Sequence, residues 1–245
     1  MKRVIGALLP PVITNIARRS GDRRFSTWRE ACARAASYNA DLVNRFRSER
    51  HELSTVDAGI LQGSVLGLVV LALNREALNI TDFGGATGDL GQAFLEAYPS
   101  SKYVVVENPT LVEFMRGKTS VEYATSMPEC CDVFYTSSTL QYLDDPMKIL
   151  EIGLRSARLG AVLTRNSFSE SDTFRVQRSN LFDNGMGPIP AGYQNIEITY
   201  PHRTIRESMV QNLARELGFR CIARLEEASG SLAGSYGKQL VFFRR

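Results

Sequence analysis

Histidine and cysteine are scarce in this 245-residue sequence, which has only His51 and His202 and the four cysteines Cys32, Cys130, Cys131 and Cys221. The cysteines lack C-x-x-C spacing, so no zinc cluster is expected and no residue is assigned to a metal. They read as reduced structural thiols, which suits a cytoplasmic protein. The run GILQGSVLGLVVLAL at 59–73 falls short of the roughly 20 residues that span a bilayer and reads as a buried core helix. The opening MKRVIGALLPPVITNIARR has a basic flank, but Pro10 and Pro11 break its apolar stretch and no small-residue cleavage site follows, so a signal peptide is not expected. Internal repeats and low-complexity tracts are also missing.

What is present is unevenly charged. The first fifty residues hold eleven Lys or Arg against four acidic residues, a net +7, and the remainder carries −4. An N-terminal part this basic meets an acidic surface or is a solvated basic face. Its aromatics (Phe25, Trp28, Tyr38, Phe46) are scattered rather than interleaved with basic residues, which favours anionic lipid over nucleic acid. Val4, Ile5, Leu8, Leu9, Val12, Ile13 and Ile16 beside Lys2, Arg3, Arg18 and Arg19 make residues 1–19 the candidate for peripheral contact at the inner membrane. The alternative is a helix packed on its own domain.

Helical spacing continues to about residue 77, with Thr27 as N-cap and Glu30 three residues on. From 78 to 245 short apolar strands alternate with amphipathic helices, the signature of a parallel sheet with crossover helices. Strands are expected at Ile80–Phe83, Tyr103–Glu107, Val121–Tyr123, Asp132–Ser137, Ala161–Asn166, Cys221–Leu225 and Gln239–Phe243, and helices near 89–98, 109–116, 145–158 and 204–217. Residues from about 168 to 203, rich in Gly, Pro and Asn, are too long for a simple connection and read as a lid-like insertion.

The turn ITDFGGATGDLGQAF at 80–94 asks for a ligand. Gly84, Gly85 and Gly88 let the backbone approach a bound group, and the following helix N-terminus offers N–H donors. A dinucleotide fingerprint started at Gly84 fails at Ala86 and Asp89, and the Gly-Lys-Ser/Thr of a P-loop is absent. The remaining pattern is acid-x-Gly-x-Gly-x-Gly with Ala in the middle: Asp82, Gly84, Ala86, Gly88. A second acid, Glu107, followed by Asn108, ends the next strand, where a carboxylate can accept both ribose hydroxyls of an adenosine.

The glycine turn resembles motif I of the class I S-adenosylmethionine-dependent methyltransferases, and CDVFYTSSTLQYLDDPMKIL resembles their fourth strand and the helix start after it. FSTWREACARAASYNADLV, TDFGGATG, VVVENPTLVE and SSTLQYLDDP together resemble methyltransferases encoded among bacterial surface-polysaccharide genes, over most of residues 25–220. The resemblance implies a Rossmann-like α/β fold, a seven-stranded sheet with helices on both faces and an N-terminal helical cap, and S-adenosylmethionine as cofactor. It implies that Asp82 helps hold the cofactor ammonium, that Ser137 and Ser138 line its floor, and that Gln141, Tyr142 and Leu143 stand where many members carry Glu-His-Leu. Strand three lacks the acid that often meets the adenine amine unless Glu122 turns inward, which leaves backbone groups around Tyr123–Thr125, with Thr125 as the candidate contact.

Methyl transfer to a hydroxyl requires alignment, exclusion of water and removal of a proton. His202 is the candidate base, Tyr142 and Tyr200 candidates to orient a sugar ring, and Arg203 and Arg206 candidates for a phosphate. The expected reaction is O-methylation of a sugar, nucleotide-sugar or glycolipid. The rival readings are an NAD-dependent sugar-modifying enzyme and a non-catalytic scaffold of the same fold at the membrane.

Overall fold

The computed structural model describes residues 24–36, 40–55, 57, 59–227 and 234–245. The segment 1–19 singled out for membrane contact lies outside them. A short strand, β1 (Arg24–Phe25), precedes helices α1 (Trp28–Cys32), α2 (Asp41–Glu52), α3 (Gly59–Gln62) and α4 (Val65–Leu73). Thr27 caps α1 by accepting the Glu30 N–H at 3.2 Å, while the Glu30 carboxylate takes the N–H of Ser26 instead of Thr27, so only half of the expected capping box forms. The run 59–73 is not one buried helix. It breaks at Gly63–Ser64, where Ser64 caps α4 by accepting the Gly67 N–H at 3.0 Å, and Leu68 and Leu71 of α4 are exposed. Among the described residues no helix is long and apolar enough to cross a membrane.

The alternating part follows as β2 (Asn79–Phe83), α5 (Asp89–Ala97), β3 (Lys102–Val106), α6 (Pro109–Met115), β4 (Glu122–Ala124), β5 (Cys131–Ser137), α7 (Pro146–Ser156), β6 (Ala157–Ser169), β7 (Phe174–Asn180), β8 (Glu197–Arg203), β9 (Ile205–Arg206), α8 (Glu207–Glu216), β10 (Phe219–Glu227) and β11 (Tyr236–Arg244). The main sheet has the order β10-β11-β6-β5-β2-β3-β4, and β9 adds an eighth, two-residue strand beside the end of β6, where seven were expected. Strands β2 to β6 pair in parallel, and β11 and β10 turn antiparallel.

Side-chain alternation along the strands makes two cores. Val133 and Tyr135 face one side with Val241, Leu66, Val70 and Phe94; Phe134 faces the other with Leu240, Phe242, Leu150 and Val210. Burial on both faces is what parallel strands with crossover helices require. The chain starts at β2, runs outward to β3 and β4, and returns to β5 on the opposite side of β2. The order therefore reverses between β2 and β5, and a crevice opens at their carboxyl ends.

The insertion is more ordered than a loop. β7 and β8 form an antiparallel hairpin, and β1 pairs with β7, so the start of the described chain completes a three-stranded sheet. A third small core joins this unit to α2, with Phe46 stacked on Phe182 at 5.7 Å and edge-on to Tyr193 at 5.0 Å.

Gly153 of α7 lets that helix approach the sheet: a Cβ there meets the fully buried Phe134 ring at 2.5 Å. Ala is the better helix former by about 1 kcal/mol, yet overpacking typically costs about 1–3 kcal/mol. Gly153→Ala should therefore lower stability by up to about 2 kcal/mol in urea unfolding; a stabilised variant would show that the contact relaxes freely.

Candidate functional site

The crevice predicted by the strand order is a cleft of about 1060 Å³. Its floor is built by three strand ends. At the end of β2, Asp82 is buried, and its Oδ2 accepts the Tyr103 hydroxyl at 2.8 Å from β3, one strand away. Its Oδ1 is buried with no partner. Burial raises the Asp82 pKa to about 7 against the opposing Tyr103 hydrogen bond, and the nearby Glu107 pushes it in the same upward direction.

Beyond Asp82 the chain turns through Gly84 (φ 76°), Gly85, Ala86 (φ 50°), Thr87 and Gly88 (φ 72°) into α5. Gly85 is forced by the acid beneath it, since a Cβ there lies 2.4 Å from Asp82 Oδ2. The sequence departure falls on a left-handed position, so Ala86 carries strain that Gly would not. Its N–H donates to Glu107 Oε1 at 3.3 Å, and Glu107 Oε2 takes the N–H and side-chain amide of Asn108 at 2.9 and 3.0 Å. On the other side, the Thr139 hydroxyl reaches the carbonyls of Ser137 and Gly84 at 3.0 and 3.3 Å and ties the end of β5 to the turn.

Asp82, Gly84, Gly85, Ala86, Glu107, Asn108, Thr125, Ser137, Ser138 and Tyr142 all line this one cleft. Gly88 caps α5 just behind the lining, where a Cβ meets the Tyr123 hydroxyl at 2.7 Å. Glu122 does not turn inward; it is exposed and paired with Lys102 at 2.8 Å.

His202 is not brought to the cleft. It is buried on β8, where Arg175 Nε donates to its Nδ1 at 3.2 Å, and its Nε2 lies 3.2 Å from Ser167 Oγ. Arg175 also approaches Nε2 at 3.5 Å, so both ring nitrogens of His202 are engaged by Arg175 and Ser167 rather than by the cleft. Burial, then the Arg175 charge, hold its pKa well below the usual imidazole range. His202 meets the site through Tyr142, whose ring packs edge-on to His202 at 5.6 Å and to the buried Tyr200 at 5.3 Å. Gln141 likewise turns away from the cleft and braces Ser138 Oγ and the Arg165 carbonyl at 3.1 and 3.2 Å. Arg203 lies between Trp28 and Phe174 and donates to the Asp144 carbonyl, and Arg206 pairs with Asp172 at 3.4 Å. Arg203 serves packing there, and Arg206 is an exposed ion-pair partner.

The part of the site that the sequence reading missed is the inner face of α2. Asn44, Arg47, Ser48 and His51 are polar and buried on a single helix face. Asn44 donates to Asn108 Oδ1 at 3.0 Å, His51 Nδ1 meets Asp89 Oδ1 at 3.0 Å, and Arg47 lines the cleft and reaches Asn184 Oδ1 at 3.4 Å. The available signal was their i, i+3, i+4, i+7 spacing, where a core-facing helix carries apolar residues.

No protein-family model and no curated protein matches the sequence. Solved structures do. An S-adenosylmethionine-dependent methyltransferase from Clostridium acetobutylicum ATCC 824 superposes with a TM-score of 0.54 at 11% identity, over 77% of this chain and 92% of that one. The fold is shared with S-adenosylmethionine-dependent methyltransferases. The magnesium protoporphyrin IX methyltransferase of Synechocystis PCC 6803 with bound SAH gives 0.53 at 13% identity, over 82% and 94% of the two chains. The sugar N-methyltransferase KedS8 from Streptoalloteichus sp ATCC 53650 gives 0.52 at 14%, over 86% and 94%.

Asp82 has a measurable cost in this arrangement. A carboxylate whose folded pKa lies above its unfolded value favours folding below the unfolded pKa, and that contribution is lost as pH rises from about 3.8 through about 7. Asp82→Asn keeps an acceptor for Tyr103 and abolishes the titration. Its stability relative to the wild type should therefore climb across that window and level off above it, by a few kcal/mol at most; the His202 contribution is common to both proteins and cancels. Parallel thermal melts from pH 4 to 8 check this, and a difference independent of pH would mean that Asp82 titrates normally.

Proposed function

We propose that this protein is an S-adenosylmethionine-dependent methyltransferase acting on a hydroxyl of a sugar, nucleotide-sugar or glycolipid. The observation that carries the cofactor reading is the unpartnered Asp82 Oδ1 beneath a glycine turn, with Glu107 at the end of the neighbouring strand. The residues fit the group. Its ammonium finds a buried carboxylate on the Asp82 side, and its ribose diol finds Glu107. Thr125, Ser137 and Ser138 line the stretch left for the rest of the adenosine. When bound, S-adenosylmethionine supplies an electrophilic methyl group on a sulfonium.

The chain's own part is positioning. At about 1060 Å³ the cleft lies at the upper end of the range of roughly 300–1,000 Å³ usual for ligand pockets, which supports an acceptor seated beside the cofactor. Tyr142, held edge-on by Tyr200 and His202, is a fixed aromatic wall against which an acceptor ring can rest, and its hydroxyl donates to Gln177 Oε1 at 3.5 Å. The 181–186 segment and the inner face of α2 cover the opposite side and restrict water. The resemblance to surface-polysaccharide methyltransferases supports a sugar acceptor, and the basic first fifty residues support one presented at an anionic membrane.

The test is transfer of labelled methyl from S-adenosylmethionine to a panel of nucleotide-sugars and of glycolipids in anionic or neutral vesicles. Methylation of a sugar hydroxyl is expected, faster for a glycolipid in anionic vesicles, with Glu107→Ala lowering cofactor affinity at least about tenfold through loss of its charged hydrogen bonds. Cofactor binding with no sugar methylated would favour the scaffold reading, and binding of NAD in its place would favour the NAD-dependent one.

A further inference from the structure

We infer that Arg47 binds the carboxylate of the cofactor's methionine moiety, an assignment that rests on the cofactor reading above. It comes from the placement of α2. Asn44, Arg47 and His51 recur at i, i+3 and i+7 and share one face. The outer two are anchored on opposite edges of the glycine turn: Asn44 on Asn108 at the end of β3, and His51 on Asp89, the first residue of α5. At 1.5 Å per residue they stand about 10 Å apart along the helix, so the stretch between them crosses the turn. Arg47 is the residue in that stretch, buried to 4% exposure and lining the cleft with Gly84, Gly85 and Ala86.

Charge gives the second argument. The turn is surrounded by carboxyl groups: Asp82 below it, Glu107 beside it and Asp89 at the start of α5. Asp89 sits where the helix N-terminus would otherwise attract an anion, and His51 and the Thr87 hydroxyl hold it there at 3.0 and 2.6 Å. A ligand carboxylate entering this surround needs a fixed cation. Among the described residues the cations lining the cleft are Arg47 and Arg165; Arg165 belongs to β6, two strands from the β2 that runs into the turn, whereas Arg47 is on the helix anchored to both edges of the turn. A guanidinium is the group whose planar fork matches a carboxylate. Arg47 also touches Asn184 Oδ1, and its stem packs under Gly185, so the same side chain couples the amino-acid end of the cofactor to the 181–186 wall of the cleft.

The experiment compares two ligands on the full chain, S-adenosylhomocysteine and 5′-methylthioadenosine, which lacks the amino-acid end. Arg47→Gln should weaken the first about ten- to hundredfold and leave the second within about twofold, and Arg47→Lys, which keeps the charge without the fork, should fall between. Equal losses for both ligands would make Arg47 a structural tie of α2 to the 181–186 segment and overturn the assignment. Unchanged binding of both would overturn it too. If the wild type binds neither ligand, the cofactor reading fails and the Arg47 assignment falls with it.

Discussion

A buried carboxyl group with one oxygen left over sets the rest of this structure. Asp82 lies at the end of a central parallel strand, where both sheet faces are covered and water is excluded. One oxygen is held by Tyr103 and the other by nothing. Such a group costs free energy, and the surrounding residues fit around it. Gly85 is Cβ-free because Asp82 occupies that space, Ala86 tolerates a left-handed backbone, and Glu107 is held by the same turn. Backbone strain and an unsatisfied buried oxygen are thus concentrated at the switch point of the α/β sheet.

The second constraint is the two-sided character of α2. Val43 and Phe46 pack on the hairpin insertion, while Asn44, Arg47 and His51 face the glycine turn. One helix thus connects the glycine-turn side of the cleft to the hairpin insertion. Arg50 strengthens the second contact by donating to the Phe182 and Asn184 carbonyls at 2.9 and 2.8 Å.

Local chemistry was legible in the sequence, and long-range pairing was not. Asp82, Glu107 and Ser137 announce strand ends because each acid or hydroxyl follows a short apolar run, and the structure ends those strands at Phe83, Val106 and Ser137. The hairpin of β7 and β8 escaped because its strands, FRVQRSN and EITYPHR, are polar and separated by a Gly- and Pro-rich stretch; they are stable only through each other and through β1, about 150 residues earlier in the chain. His202 misled for a related reason. Its position before α8 says nothing about the side on which β8 faces, and the pairing with β7 turns it toward Arg175. The polar face of α2 was visible as a pattern, but its meaning depends on the helix docking over a turn some forty residues away.

The most direct test of the central claim is calorimetric titration of the wild-type protein with S-adenosylhomocysteine at pH 7, in buffers of different ionisation enthalpy. An Asp82 carboxyl with a pKa of about 7 is partly protonated at that pH, and a ligand ammonium beside it favours the charged form. Binding with release of a fraction of a proton to the buffer is expected, and loss of that release in Asp82→Asn. Absence of binding, or binding whose heat is the same in every buffer, would contradict it.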